Sequence, residues 1–211
     1  MKRIEKKPIL IAIALILIQS FGYLVCKFLE GTPHLIGNAI DDKIPFSVYA
    51  IIPYSTWFFL LIIVPYILYK KDKNSLSKYI VSYILMVIIA DITYIIYPTT
   101  LIRPEVTGTN IIELIARLVF WVDTPVLNCF PSMHCAISML WLLYVLVSKE
   151  TSRTEKIIIP ILCIIIMIST LFIKQHVFID LISGVIISTM VFIVVQFEKK
   201  LSLKVKKALK F

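Results

Sequence analysis

The stretch CFPSMHCAISMLWLLYVLVS (Cys129–Ser148) changes character partway along. After His134 it is almost wholly apolar, and its length approaches the roughly 17–25 residues that a membrane-crossing helix requires. Before that come Pro131, Ser132 and His134. A proline at the first helical position gives up no backbone N–H that the helix needs. The free N–H groups after it carry the positive end of the helix dipole. Ser132 adds a hydroxyl, and His134 can give or take a proton. The start of this helix therefore reads as an anion cradle with an acid/base group attached.

Working outward, the rest of the chain repeats the apolar theme. Of its 211 residues, 59% are hydrophobic, and the mean hydropathy is +0.92. Soluble domains are closer to half apolar. Hydropathy places spans at about 8–29, 48–69, 79–98, 131–148, 157–173 and 177–197. The expectation is an all-α protein of six transmembrane helices, one integral membrane domain over 1–211. The N-terminal apolar segment reads as a retained anchor, since no small-residue cleavage site follows it.

Seventeen of the 22 lysines and arginines fall on one side of these spans, in 1–7, 70–78, 149–156 and the C-terminal tail. The positive-inside rule then puts both termini in the cytoplasm of a cell-membrane protein. It also accounts for the net charge of +9 without a nucleic-acid partner. Four cysteines show no CxxC spacing, so no metal ligand set is expected, and spacing alone assigns no disulfide. Between spans three and four, NIIELIARLVFW (Asn110–Trp121) reads equally as an interfacial helix or an ordinary packed loop helix, with Glu113 and Arg117 an i,i+4 pair.

The unusual polar residues gather at one membrane level, the external one. Span three ends at YPTTLIRPEV (Tyr97–Val106), which carries Arg103, and span four starts beside Ser132 and His134. Spans five and six are joined by KQHVFID (Lys174–Asp180), which carries Lys174 and His176. Two cations, two histidines and a serine facing one cleft suit a phosphate ester. Asp180 follows His176 by four residues, so both lie on one helix face. A hydrogen bond between them would justify an acid inside the bilayer and leave the other ring nitrogen of His176 free as a nucleophile. Asp91 and Tyr97 are candidates for the cavity wall, Asp91 equally for a structural counter-ion. Asp41, Asp42 and His34 read as solvated loop residues, and Cys129 and Cys135 as packing thiols.

These residues resemble a known family. PSMH (Pro131–His134) is similar to the PSGH motif of the type 2 phosphatidic acid phosphatases, which share a fold with vanadium haloperoxidases. HVFID (His176–Asp180) is similar to their HxxxD, and Arg103–Pro104 to the end of their KxxxxxxRP. The resemblance covers about 90–190, the expected catalytic core. It implies His176 as nucleophile, Asp180 as its partner, His134 as general acid, and Arg103 and Ser132 as phosphate ligands. Lys174 would substitute for absent charges, because the family's first-motif lysine falls at Ile96 and its third-motif arginine at Thr170. YPTT, STLFIKQH (Ser169–His176) and DDKIPF (Asp41–Phe46) resemble the branch of inositol phosphorylceramide and sphingomyelin synthases. The implied activity is a lipid phosphatase that needs no cofactor. The alternatives are a lipid phosphotransferase acting on an alcohol and a non-catalytic lipid-binding or transport protein.

Overall fold

The computed structural model describes residues 5–29 and 31–210; Lys2 and Arg3 of the charge count lie outside them. The helices are α1 (Lys6–Leu29), α2 (Ala39–Lys43), α3 (Ile51–Lys71, led by a 3₁₀ turn), α4 (Lys73–Ile96), α5 (Ile111–Val122), α6 (Met133–Val147), α7 (Arg153–Phe172), α8 (Phe178–Phe197) and α9 (Lys200–Ala208). The chain is all-α apart from a parallel ladder of β1 (His34–Leu35) and β2 (Thr99–Thr100).

Among the described residues, α1, α3 with its lead-in, α4, α7 and α8 are long and apolar enough to cross a membrane. The expected span at 131–148 is shorter than drawn. Its helix, α6, has 15 residues, about 22 Å at 1.5 Å per residue, against a hydrocarbon core of about 30 Å. Two of the three residues lost are at the N-terminal end and one, Ser148, at the C-terminal end. Pro131 is not the first helical residue; Ser132 is the N-cap, its oxygen accepting the Cys135 N–H at 3.2 Å. A hydroxyl there satisfies a helix-end donor, so the helix begins one residue later. Short as it is, α6 is the central helix, packed on α7, α8, α4 and α3.

The long helices are apolar nearly all round, and their outer faces expose Phe21, Phe28, Phe59, Ile92 and Met190. That is the pattern expected where lipid rather than water surrounds the bundle. Polar side chains turn inward and join helices: Trp141 Nε1 donates to Tyr79 Oη at 2.9 Å, and Ser82 and Tyr144 share a hydrogen bond of 2.8 Å. At the end of the bundle remote from His134, Asp72 caps α4, accepting from Ser75 N and from the Ser148 hydroxyl after α6. Burial pushes the Asp72 carboxyl pKa up, but these hydrogen bonds outweigh it and hold it below the usual value.

The other end holds the connections that matter. The β1–β2 ladder joins the segment after α1 to the segment after α4. Thr99 Oγ1 then accepts the N–H groups of Cys129 and Phe130, and Tyr94 Oη donates to the Pro131 carbonyl. The loop bearing Arg103 is thereby held against the start of α6.

Two expectations for loops change. Asp41 is buried, not solvated; its carboxylate accepts Asn38 N–H at 2.9 Å and Phe178 N–H at 2.7 Å. Glu113 does not pair with Arg117. It reaches back to the Asn110 N–H at 3.0 Å while Asn110 caps α5, a reciprocal capping box. His34 is exposed as expected, stacked on Tyr97 with ring centroids 4.6 Å apart.

Candidate active site

Asp180 is the third residue of α8. Its Oδ2 reaches back to the Val177 N–H at 3.1 Å and meets His176 Nδ1 at 3.2 Å. A single carboxylate oxygen thus closes the helix start and fixes the imidazole. Asp180 is fully buried, and its Oδ1 has no partner. Its own carbonyl accepts the Ser132 N–H at 3.1 Å, which locks α8 to α6. Gly184 makes that approach possible: a Cβ there would sit 2.6 Å from the Ser132 carbonyl oxygen.

His176 Nε2 faces His134 Nδ1 at 3.5 Å, and His134 Nε2 lies 2.8 Å from Tyr54 Oη. One pair of tautomers satisfies the whole series. With Tyr54 donating to His134 Nε2, His134 carries its proton on Nδ1. With Asp180 accepting from His176 Nδ1, His176 presents a bare Nε2. The His134 ring is packed against Tyr54 and Trp57, with centroids 4.8 and 4.3 Å away. Both histidines line a cavity of about 490 Å³ that also reaches Arg103, Asp123, Gln175 and Asp91.

Arg103 enters this cavity from the segment after α4. Its Nη2 donates to Asp123 Oδ2 and to Gln175 Oε1, each at 2.5 Å, and its guanidinium lies 5.3 Å from the Phe120 ring centroid. Its Nε and Nη1 are buried without partners, as is Gln175 Nε2. Three N–H-bearing nitrogens next to His176 are therefore unfilled, although an unsatisfied buried donor costs about 1–3 kcal/mol. An anion entering the cavity beside Arg103 and Gln175 would fill them once these side chains turn toward it.

Arg103, His134, His176 and Asp180 thus come together as the motifs suggest, and Asp91 lines the cavity. Three other sequence candidates do not reach the cavity wall. Ser132 is fully buried and its oxygen is engaged as a cap. Lys174 Nζ points away, donating to the carbonyls of Asp41 and Ile44 at 2.8 and 2.6 Å. Tyr97 is exposed beside His34. Lys174 instead clamps α2 onto the turn that carries His176, the turn Asp41 also holds through the Phe178 N–H.

Residues missed by sequence reasoning are Gln175, Asp123, Tyr54 and Tyr23. Tyr23 Oη donates to Asp123 Oδ1 at 2.5 Å, and Lys27 Nζ lies 3.9 Å from the same oxygen. Gln175 adjoins His176 in sequence, which was the available signal; the others come from remote segments. All four cysteines are free and buried, and burial pushes the Cys129 thiol above its usual pKa. Among the described residues no three His, Cys, Asp or Glu side chains form a metal-binding group.

The family model described as the PAP2 superfamily matches residues 75–200, and the chain belongs to that superfamily. No curated protein and no solved structure matches it.

Proposed function

We propose that this PAP2-superfamily chain cleaves the phosphate ester of a membrane lipid through a phosphohistidine on His176. The observation that carries the reading is the ordered series Asp180–His176–His134–Tyr54 opening into a cavity whose Arg103 and Gln175 donors are unfilled. A phosphoryl group seated on those donors lies beside His176 Nε2 and His134 Nδ1.

The reaction has two halves. His176 Nε2 attacks phosphorus, and the bond from phosphorus to the lipid oxygen breaks. His134 takes up the proton of the entering phosphate monoanion and then donates Nε2–H to Tyr54 Oη. It gives its Nδ1 proton to the lipid oxygen, so the lipid alcohol leaves neutral and His134 is left neutral. Asp180 stabilises the cationic ring of the phosphohistidine. A water then enters, His134 Nδ1 takes its proton, and the P–N bond breaks to release phosphate. Phosphoryl transfer depends mainly on positioning and charge stabilisation, which Arg103 and Gln175 supply here. The charge distribution along the sequence supports a site facing away from the cytoplasm, with α6 as a sixth, shorter crossing.

A second reading replaces water by an alcohol. Asp123 and Asp91 place two carboxylates in the cavity wall, and Ile96 and Thr170 stand where the family pattern carries cations. A wall of this charge suits a hydroxyl-bearing acceptor better than an arginine- and lysine-rich one would. It fits the pattern resemblance to inositol phosphorylceramide and sphingomyelin synthases.

The test is purified protein in lipid vesicles, incubated with labelled lipid phosphates, with and without candidate alcohols. Free phosphate together with an acid-labile phosphoprotein supports hydrolysis; a new phosphorylated alcohol supports transfer. Absence of both, in protein shown to be folded, would reject catalysis.

A further inference from the structure

Hydropathy leaves one acid inside α4, Asp91. An acid within a membrane helix is costly unless something answers it. Among the described residues no lysine or arginine pairs with Asp91; its neighbour is the Cys26 thiol, 3.5 Å from the Asp91 carbonyl and also against the carboxylate. A thiol is a weak donor. The carboxylate instead lines the large cavity, with Gln19 and Ser20 of α1 beside it on the wall. Gly22 makes the room: a Cβ there would lie 2.1 Å from Asp91 Oδ2.

The cavity therefore has two polar poles. One holds Arg103, Gln175 and the histidines at the end of the bundle. The other holds Asp91, Gln19 and Ser20. Asp91 is five residues before the end of α4, so it lies about 7 Å further into the bundle. A lipid whose phosphate sits on Arg103 and whose chains run along the helices places the carbons next to the phosphate ester toward this second pole. A fully acylated glycerol there offers only acceptors, and a carboxylate facing it loses water without compensation.

We propose that Asp91 selects lipid phosphates whose alcohol portion carries a hydrogen-bond donor, a free hydroxyl or an amide N–H, near the phosphate ester. This rests on the reading of the Arg103–His176 pole as the phosphate site. A hydrogen bond to a charged acceptor contributes enough for about a tenfold preference.

The experiment measures equilibrium binding of phosphonate analogues, in which a C–P bond prevents turnover, to the full chain in lipid nanodiscs. Two matched pairs separate the donors: a single-chain glycerol phosphonate with a free hydroxyl against its methyl ether, and an N-acyl amino-alcohol phosphonate against its N-methyl amide. The expected result is that at least one donor-bearing member binds about tenfold tighter than its methylated counterpart, and the pair that responds identifies the donor. Asp91→Leu should reduce that ratio to near one. Gly22→Ala should do the same by pushing the carboxylate aside, and it decides the matter if Asp91→Leu does not fold. Asp91→Asn, which keeps an acceptor oxygen, should retain part of the ratio. Equal binding within both pairs, or a preference that survives Asp91→Leu and Gly22→Ala, overturns the proposal. Turnover of the ordinary phosphates by His176→Ala would instead reject the catalytic reading, with the binding ratios still judging Asp91.

Discussion

Asp180→Asn isolates what the Asp180 charge does, because the structure dictates how the amide must sit. Asp180 Oδ2 accepts from both Val177 N–H and His176 Nδ1. In the variant the Val177 N–H holds the amide oxygen in that position, so the oxygen still accepts from His176 and the tautomer is kept. The NH₂ group takes the place of Oδ1, which is buried without a partner. Two separate effects follow. Stability falls by about 1–3 kcal/mol, the cost of one buried polar group, the NH₂, left without a partner. The cationic ring of the intermediate keeps a hydrogen bond but loses the carboxylate's charge, the difference between a charged and a neutral hydrogen bond, about 1–1.5 kcal/mol, which is roughly a 5- to 12-fold slower attack at 1.4 kcal/mol per decade. A lost tautomer would cost far more, on the order of 10⁴. The assay is rapid-quench formation of phosphoenzyme from an aryl phosphate that the wild-type protein turns over, with thermal unfolding measured in parallel. A loss near 10⁴ would show that the amide has flipped and that Val177 does not control it. An unchanged rate would mean that Asp180 only builds the helix start.

Further outcomes are expected. His176→Ala should form no phosphoenzyme with any substrate, whereas His134→Ala should release one burst of nitrophenol from p-nitrophenyl phosphate and then stall, since an aryl leaving group needs no proton but water needs a base; a burst from His176→Ala alone would reverse the two roles. Gln175→Leu should weaken phosphate-ester binding about tenfold, while Lys174→Met should leave substrate affinity within about twofold and act through thermal stability, because its ammonium holds backbone carbonyls; the opposite pattern in KM would restore Lys174 as the phosphate ligand. Activity should persist in EDTA and be inhibited by vanadate, because Arg103 and Gln175 supply the donors; full loss restored by Mg²⁺ would contradict the mechanism. Asp72→Ala should cost about 1 kcal/mol of stability at neutral pH. Since folding lowers the Asp72 pKa, that contribution is complete above the unfolded value and lost as pH falls through the folded one, so wild type and variant should converge in acid.

The sequence by itself determined what depends on short separations. Apolar runs of sufficient length located the long helices, because a backbone surrounded by lipid must satisfy its hydrogen bonds within its own segment. The His176–Asp180 pair was legible for the same reason: residues four apart on a helix meet whatever surrounds them. Arg103 and His134 were found through motif spacing. Tertiary structure alone decided where the remaining cations and hydroxyls point. The end of α7 closes with Lys174 N–H on the Leu171 carbonyl and Gln175 N–H on the Thr170 carbonyl, and Lys174 takes a φ of 55°. A helix stop of this kind ordinarily signals itself by glycine; a lysine in the left-handed region gave no warning of the turn. Past that turn Lys174 meets the carbonyls of α2 and Gln175 meets Arg103. Tyr54 and Asp123 reach the site from segments 80 residues before His134 and 20 residues after Arg103. No periodicity along the chain encodes such meetings. They exist only once α3, α5 and α6 have packed around the same cavity.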